Sequence, residues 1–103
     1  MQYMPATLIR RDKTVWPNGV VVEVVIWAVQ PPLKGSEHGY KYRLFAGRAG
    51  STLVRYDNEA GKGDHKHLGA DETEVPFTFV SMGHTLQEFL RDVDVLANTP
   101  KGA

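Results

Sequence analysis

The stretch VVVEVVIWAV, residues 20–29, decides the fold class of this chain of 103 residues. Its valine and isoleucine side chains are branched at Cβ, which makes them stiff in a helix and well suited to a pleated surface, so the stretch is predicted to form a strand. An Asn-Gly pair at 18–19 favours a tight hairpin turn just before it, and residues 6–11 are therefore expected to be the partner strand. The Pro-Pro pair at 31–32 ends the strand, because proline cannot donate a backbone hydrogen bond.

Further strands are predicted after this hairpin. Residues 40–46 alternate apolar and basic side chains, and residues 52–57 follow across a five-residue turn at 47–51, so the two segments read as a second hairpin. Residues 65–68 form a short extended piece, and residues 77–80 are expected to be the last strand.

The helical signal lies near the C-terminus. Apolar side chains recur there at intervals of three and four residues, as on one face of a helix: Leu86, Phe89, Leu90, Val93, Leu96 and Ala97. Thr85 and Glu88 have the spacing of a capping box at its start. The predicted fold class is α+β, an antiparallel β-meander of about five strands with one C-terminal amphipathic helix packed on the sheet. Residues 1–103 are expected to form a single domain with a core over 6–97 and short flexible termini.

Composition and charge exclude several classes of protein. The chain has no cysteine, so a disulfide scaffold, a thiolate metal site and a cysteine nucleophile are excluded. No apolar run reaches the ~20 residues of a membrane span, and residues 1–5 lack the basic start and apolar centre of a secretory signal, so a cytoplasmic protein without membrane contact is predicted. The net charge is zero, but residues 1–66 are net basic and residues 67–103 net acidic, which suits an anionic partner on one side.

The densest group of polar side chains lies in residues 56–67. His65 and His67 are two apart in an extended segment and share a face, and two imidazoles can act as general base and general acid near neutral pH. Asp57 and Lys66 are the charged side chains expected to complete the catalytic group. Phosphate chemistry also needs cations and accessible backbone amides, and the candidates for RNA or phosphate contact are Lys41, Arg43, Arg55, Lys62, Gly61 and Gly63.

Other interpretations of these residues stay open. A His-x-His pair can supply two metal ligands, but a third ligand would have to come from Asp57, Glu59, Asp64 or His84, and no metal or other cofactor is predicted. Residues 61–64 are also typical of a flexible turn. His38 and His84 are expected to be incidental, and Trp16 and Trp27 are expected to belong to the core.

Three blocks of sequence resemble the TumE-like toxins of bacterial toxin–antitoxin modules. They are residues 40–43, residues 56–67 and the closing segment from Pro76 to the helix, and together they cover most of residues 18–97. The middle block is the specific one, although Lys66 stands where an arginine is expected, which keeps the charge and loses bidentate phosphate geometry. The resemblance implies a helix-turn-helix antitoxin as partner and an action on RNA or translation.

The predicted function is therefore the toxin of a type II toxin–antitoxin module, acting on RNA as a ribonuclease-like phosphodiesterase with metal-independent acid–base chemistry. One alternative is a non-enzymatic partner of a helix-turn-helix regulator, and another is a metal-dependent hydrolase built on the His-x-His pair. Whether the chain is an enzyme is left open, and a homodimer is compatible with the sequence.

Overall fold

The computed structural model describes residues 5–98, in which every strand pairs antiparallel with the next along the chain. The elements in order are β1 (Ala6–Val15), β2 (Val21–Val29), β3 (Tyr40–Arg48), β4 (Ser51–Glu59), β5 (Gly63–Leu68), β6 (Thr73–Pro76) and α1 (Met82–Asn98). The predicted α+β meander is confirmed, with six strands instead of about five. The flexibility expected of the termini concerns residues that lie mostly outside the described range.

The first hairpin forms around the predicted Asn-Gly turn. The Asn18 side chain accepts a hydrogen bond from the Val20 amide at 3.2 Å, and Gly19 has a φ of +85°, which glycine adopts without strain. β1 continues to Val15, four residues beyond the predicted partner strand, and all ten of its residues are exposed.

The second hairpin has a tighter turn than the five residues predicted. Arg48 pairs directly with Ser51, so only Ala49 and Gly50 connect β3 to β4. Both have positive φ, +53° and +78°, as a mirror-image two-residue turn requires. The twist of the two strands selects this turn, although alanine tolerates a positive φ poorly.

The strand predicted at 77–80 is wrong, because the last strand is β6 over Thr73–Pro76. Pro76 lies opposite His65 in the ladder and has no amide hydrogen, so the pairing ends there. Phe77 instead packs edge-on against Tyr56 with ring centroids 5.1 Å apart, and Phe79 stacks on His38 at 3.7 Å. The apolar alternation at 77–80 therefore reflects packing of an irregular segment.

The helix begins one turn earlier than the sequence predicts. Ser81 is the capping residue, since its hydroxyl oxygen accepts the His84 amide at 3.0 Å. Thr85 is fully buried and its hydroxyl donates to the Ser81 carbonyl at 2.8 Å, so the predicted capping box of Thr85 and Glu88 is wrong. Within residues 5–98, no helix is long and apolar enough to cross a membrane.

The sheet has two faces of different character. The side chains that point toward α1, here called the helix face, form the core together with Phe89, Val93 and Ala97. They are Val22, Val24, Ile26, Tyr42, Leu44, Ala46, Val54 and Tyr56. Alternation along each strand directs the intervening residues to the other side, here called the open face. Trp16 packs against the core, whereas Trp27 is half-buried on the open face.

Candidate functional site

The predicted histidine pair lies on the open face of β5. His65 and His67 share that face, as the two-residue spacing predicts, and their ring centroids are 5.0 Å apart with the ring planes at 81°. Although α1 packs on the other face of the sheet, His65 is only 4% exposed and His67 only 9%. These imidazoles are therefore held inside the protein on the side away from the main core.

Each ring is anchored through its Nδ1 atom. His65 Nδ1 lies 3.1 Å from the Gly63 carbonyl oxygen, and His67 Nδ1 lies 3.2 Å from the Glu72 carbonyl oxygen. A carbonyl can only accept a hydrogen bond, so Nδ1 carries the proton in both rings, and each neutral ring has its free lone pair on Nε2. Glu72 has a φ of +51°, an uncommon conformation for a residue with a side chain, and this turn presents its carbonyl to His67.

Asp57 completes a group of three with the two rings. It lies directly opposite His65 in the β4–β5 ladder, and its Oδ1 atom is 2.6 Å from His65 Nε2. That contact is an ion-pair distance and not a hydrogen bond, and Asp57 Oδ1, His65 Nε2 and His67 Nε2 are all buried without a hydrogen-bond partner. The ligand atoms of the three residues lie within 4.8 Å of one another. Asp57, His65 and His67 are called the His–Asp cluster below.

Ion pairs of Arg55 and Lys62 with nearby carboxylates surround the His–Asp cluster. Arg55 brings Nε within 3.3 Å of Asp57 Oδ2 and donates from its terminal nitrogen to Glu72 at 3.0 Å. Lys62 donates to Glu74 Oε1 at 2.6 Å, which raises the pKa of Lys62 and lowers the pKa of Glu74. The same Glu74 oxygen is 3.7 Å from His67 Nε2, so a second carboxylate stands beside the cluster.

Exposed cations and aromatic rings continue across the open face. Arg43 lies opposite Asp57 in the β3–β4 ladder, and its guanidinium stands 5.1 Å from the centre of the Phe45 ring. The guanidinium of Arg11 stands 5.9 Å from the centre of the Trp27 ring in the same way. Lys41, Arg43, Arg11, Phe45 and Trp27 are called the basic aromatic surface below.

Lys66 lies on the helix face, on the other side of the sheet from both rings. Its Nζ atom is 3.1 Å from Asp92 and 3.6 Å from Glu88, both on α1. The Tyr56 hydroxyl donates to the same Asp92 oxygen at 2.5 Å, and burial together with this bond raises the pKa of Tyr56. The contacts of Lys66 therefore join the helix to the sheet.

Gly61 and Gly63 position the loop that follows β2. The Gly61 amide donates to the Lys34 carbonyl oxygen, so this amide is already used in a hydrogen bond within the fold. Gly63 has a φ of +78°, and a Cβ there would lie 3.1 Å from the Gly35 carbonyl oxygen, so only glycine allows this approach.

A partly buried polar network on the helix face was not predicted from the sequence. His38, expected to be incidental, accepts the Tyr40 amide on Nδ1 at 3.2 Å and donates from Nε2 to Asp64 at 2.9 Å. The Tyr42 hydroxyl donates to Asp64 at 2.6 Å, and burial followed by this bond raises the pKa of Tyr42. The side-chain alternation of β5 could have placed Asp64 on this face, but its contact with His38 depends on the path of a loop.

Of the four residues weighed as a third ligand, Asp57 is the one that joins the two rings. Asp64 belongs to the helix-face network, Glu59 is exposed at the end of β4, and His84 is exposed on the first turn of α1. The sequence could not select among them, because the choice depends on the register between β4 and β5.

Comparison with known proteins gives one family. A family model described as "Toxin TumE" matches residues 5–96, which is most of the chain. Neither the curated proteins nor the solved structures gave a significant match.

Proposed function

This chain belongs to the TumE toxin family, and we propose that it is the toxin of a bacterial type II toxin–antitoxin module that acts on RNA at the His–Asp cluster. The observation that carries the proposed site is the convergence of three buried atoms without a hydrogen-bond partner, one carboxylate oxygen and two imidazole nitrogens, at one point of the sheet. Groups able to move protons or hold a cation are concentrated at such a point.

The basic aromatic surface supports an RNA substrate. Single-stranded RNA is bound by cations that contact phosphates and by aromatic rings on which bases stack. Lys41 is exposed and has no ion-pair partner among residues 5–98, and Arg43 next to it is exposed over Phe45. Together with Arg55 and Lys62 at the cluster, these are the proposed phosphate contacts.

The chemistry proposed from the sequence is metal-independent acid–base catalysis, in which the RNA 2′-hydroxyl attacks the adjacent phosphate. Because both Nδ1 atoms are bound to carbonyls, Nε2 is the atom through which either ring would exchange a proton with the substrate. Metal independence stays a prediction, and it requires both Nε2 atoms to be free of metal, because a nitrogen bound to a metal ion cannot exchange a proton.

The proposed partner is a helix-turn-helix antitoxin, and the proposed compartment is the cytoplasm, where the RNA of a bacterium is found. A non-enzymatic role is the second candidate, favoured by one observation. β1 lies at one edge of the sheet, opposite the edge formed by β6, and is exposed over its whole length, and such an edge can pair with an extended segment of another protein. Homodimer formation stays a prediction. Pairing of β1 in one copy with β1 in a second copy is one way in which a dimer can form.

Induced expression in a bacterium tests the toxin role. We expect growth arrest that is relieved by His67→Gln, with His84→Gln, a change at an exposed histidine on α1, as the matched control that stays toxic. Soluble expression without growth arrest would contradict the toxin role.

Incubation of the purified chain with RNA separates the enzyme from the binding protein. We expect cleavage of RNA, no cleavage when the nucleotide at the cut is 2′-deoxy, and loss of cleavage in His67→Gln. Growth arrest without any RNA cleavage would favour the non-enzymatic candidate.

A further inference from the structure

We propose that the His–Asp cluster binds one divalent transition-metal ion of the zinc class through Asp57 Oδ1, His65 Nε2 and His67 Nε2. With this ion bound, neither Nε2 atom can exchange a proton, so the metal-independent chemistry proposed above belongs to the metal-free chain and is replaced in the zinc-bound one. The sequence alone left the third ligand undecided. The fold supplies it by pairing Asp57 with His65 across two strands.

The orientation of the rings is the first argument. Histidines that bind a metal through one nitrogen usually donate the other N–H to a carbonyl or carboxylate, which fixes the ring and its tautomer. Both cluster histidines have this arrangement, with Nδ1 bound to a backbone carbonyl and Nε2 unpartnered. His38 shows the contrast, because its Nδ1 accepts an amide and its Nε2 is bound to Asp64, so neither nitrogen is free.

The contact between Asp57 and His65 is the second argument. Asp57 Oδ1 and His65 Nε2 are 2.6 Å apart in a buried site, and two acceptor atoms this close repel unless positive charge is shared between them. The contact does not form a hydrogen bond, so a proton on Nε2 does not bridge the two atoms. A cation bound by both atoms and by His67 Nε2 accounts for all three unpartnered atoms.

The donor set selects the class of ion. Two imidazole nitrogens and one carboxylate oxygen suit zinc and its neighbours, whereas magnesium and calcium prefer oxygen ligands alone. Ligand atoms on one tetrahedral zinc lie roughly 3.4 Å apart, so binding would separate Asp57 from His65 by somewhat less than 1 Å. Glu74, 3.7 Å from His67 Nε2, or a water can take the fourth position.

Calorimetric titration of the full chain, after treatment with EDTA and dialysis, tests the proposal directly. We expect one Zn²⁺ per chain and no binding of Mg²⁺ at the same concentrations. Asp57→Asn, His65→Gln and His67→Gln should each weaken zinc binding by roughly 100-fold or more, and His84→Gln should leave it unchanged. Zinc at 100 times its dissociation constant should raise the melting temperature by roughly 10 °C.

A second measurement needs no variant to fold. In the nitrogen NMR spectrum of the histidine rings, Zn²⁺ should shift the Nε2 signals of His65 and His67 and leave those of His38 unmoved. The proposal is overturned if the wild-type chain binds no zinc below about 100 μM, or if the two cluster histidines are unaffected by a zinc ion that does bind. Zinc binding is measured without RNA or cells, so its failure leaves the toxin role standing, and absence of toxicity leaves the zinc site standing.

Discussion

Replacing Lys66 with methionine tests whether this lysine joins the helix to the sheet. The side chain of Lys66 is 14% exposed and that of Asp92 is 23% exposed. Breaking a fully buried ion pair costs about 3–5 kcal/mol and breaking an exposed pair about 0–1 kcal/mol. Asp92 keeps the hydrogen bond from Tyr56, and methionine preserves the apolar stem, so we expect Lys66→Met to lower the free energy of unfolding by about 2 kcal/mol. For a domain of this size that loss corresponds to a fall of roughly 10 °C in melting temperature.

Urea unfolding followed by circular dichroism measures this loss, and Lys62→Met is the matched control. Lys62 also bonds to a carboxylate, at 2.6 Å, but this pair is exposed on the open face, so its removal should leave stability nearly unchanged. Below its melting temperature, Lys66→Met should bind RNA as the wild type does, whereas Lys62→Met should bind it more weakly. If Lys66→Met keeps its stability within about 0.5 kcal/mol and loses RNA binding, the assignment of Lys66 to the helix contact is refuted.

Three further predictions concern other parts of the molecule. Burial and the Asp64 carboxylate raise the pKa of Tyr42 above its ordinary value, so this tyrosine ionises at lower pH in the unfolded chain than in the folded one. Its contribution to stability is therefore complete below pH ~10 and is lost as the pH rises above that value. Urea unfolding between pH 9 and 11 should therefore show a fall in the free energy of unfolding, and Tyr42→Phe should make that fall less steep by up to about 1.4 kcal/mol per pH unit. Equal slopes of the free energy against pH in the two proteins would refute this. Ala49→Asn should raise the free energy of unfolding by about 0.5–1 kcal/mol, because asparagine tolerates the φ of +53° better than alanine, and a loss of stability in thermal unfolding would contradict the turn geometry. Lys41→Ala should reduce the slope of log binding constant against log salt for single-stranded RNA by about 0.7, while Arg91→Ala on the exposed side of α1 should not, and equal slopes would remove Lys41 from the phosphate contacts.

The α+β class and the order of the hairpins could be predicted because their signals are local. Each of these signals depends only on residues close together in the chain. They are the β-branched residues at 20–29, the Asn-Gly turn before them and the helical periodicity of residues 86–97. The same local reasoning failed at 77–80 and at Thr85. There, an apolar alternation and a capping spacing were overridden by packing against the core and by the proline at 76, which ends the ladder.

For the candidate site, the sequence by itself determined that His65 and His67 share one face of a strand and that Lys66 points to the other, because side chains alternate with a period of two. Only the tertiary structure decided that Asp57 is the carboxylate that meets them, since register between β4 and β5 depends on the turn and on the buried face of the whole sheet. It also decided which ring nitrogens are free. The carbonyl that orients His67 belongs to Glu72, in a turn whose shape is set by pairing between β5 and β6.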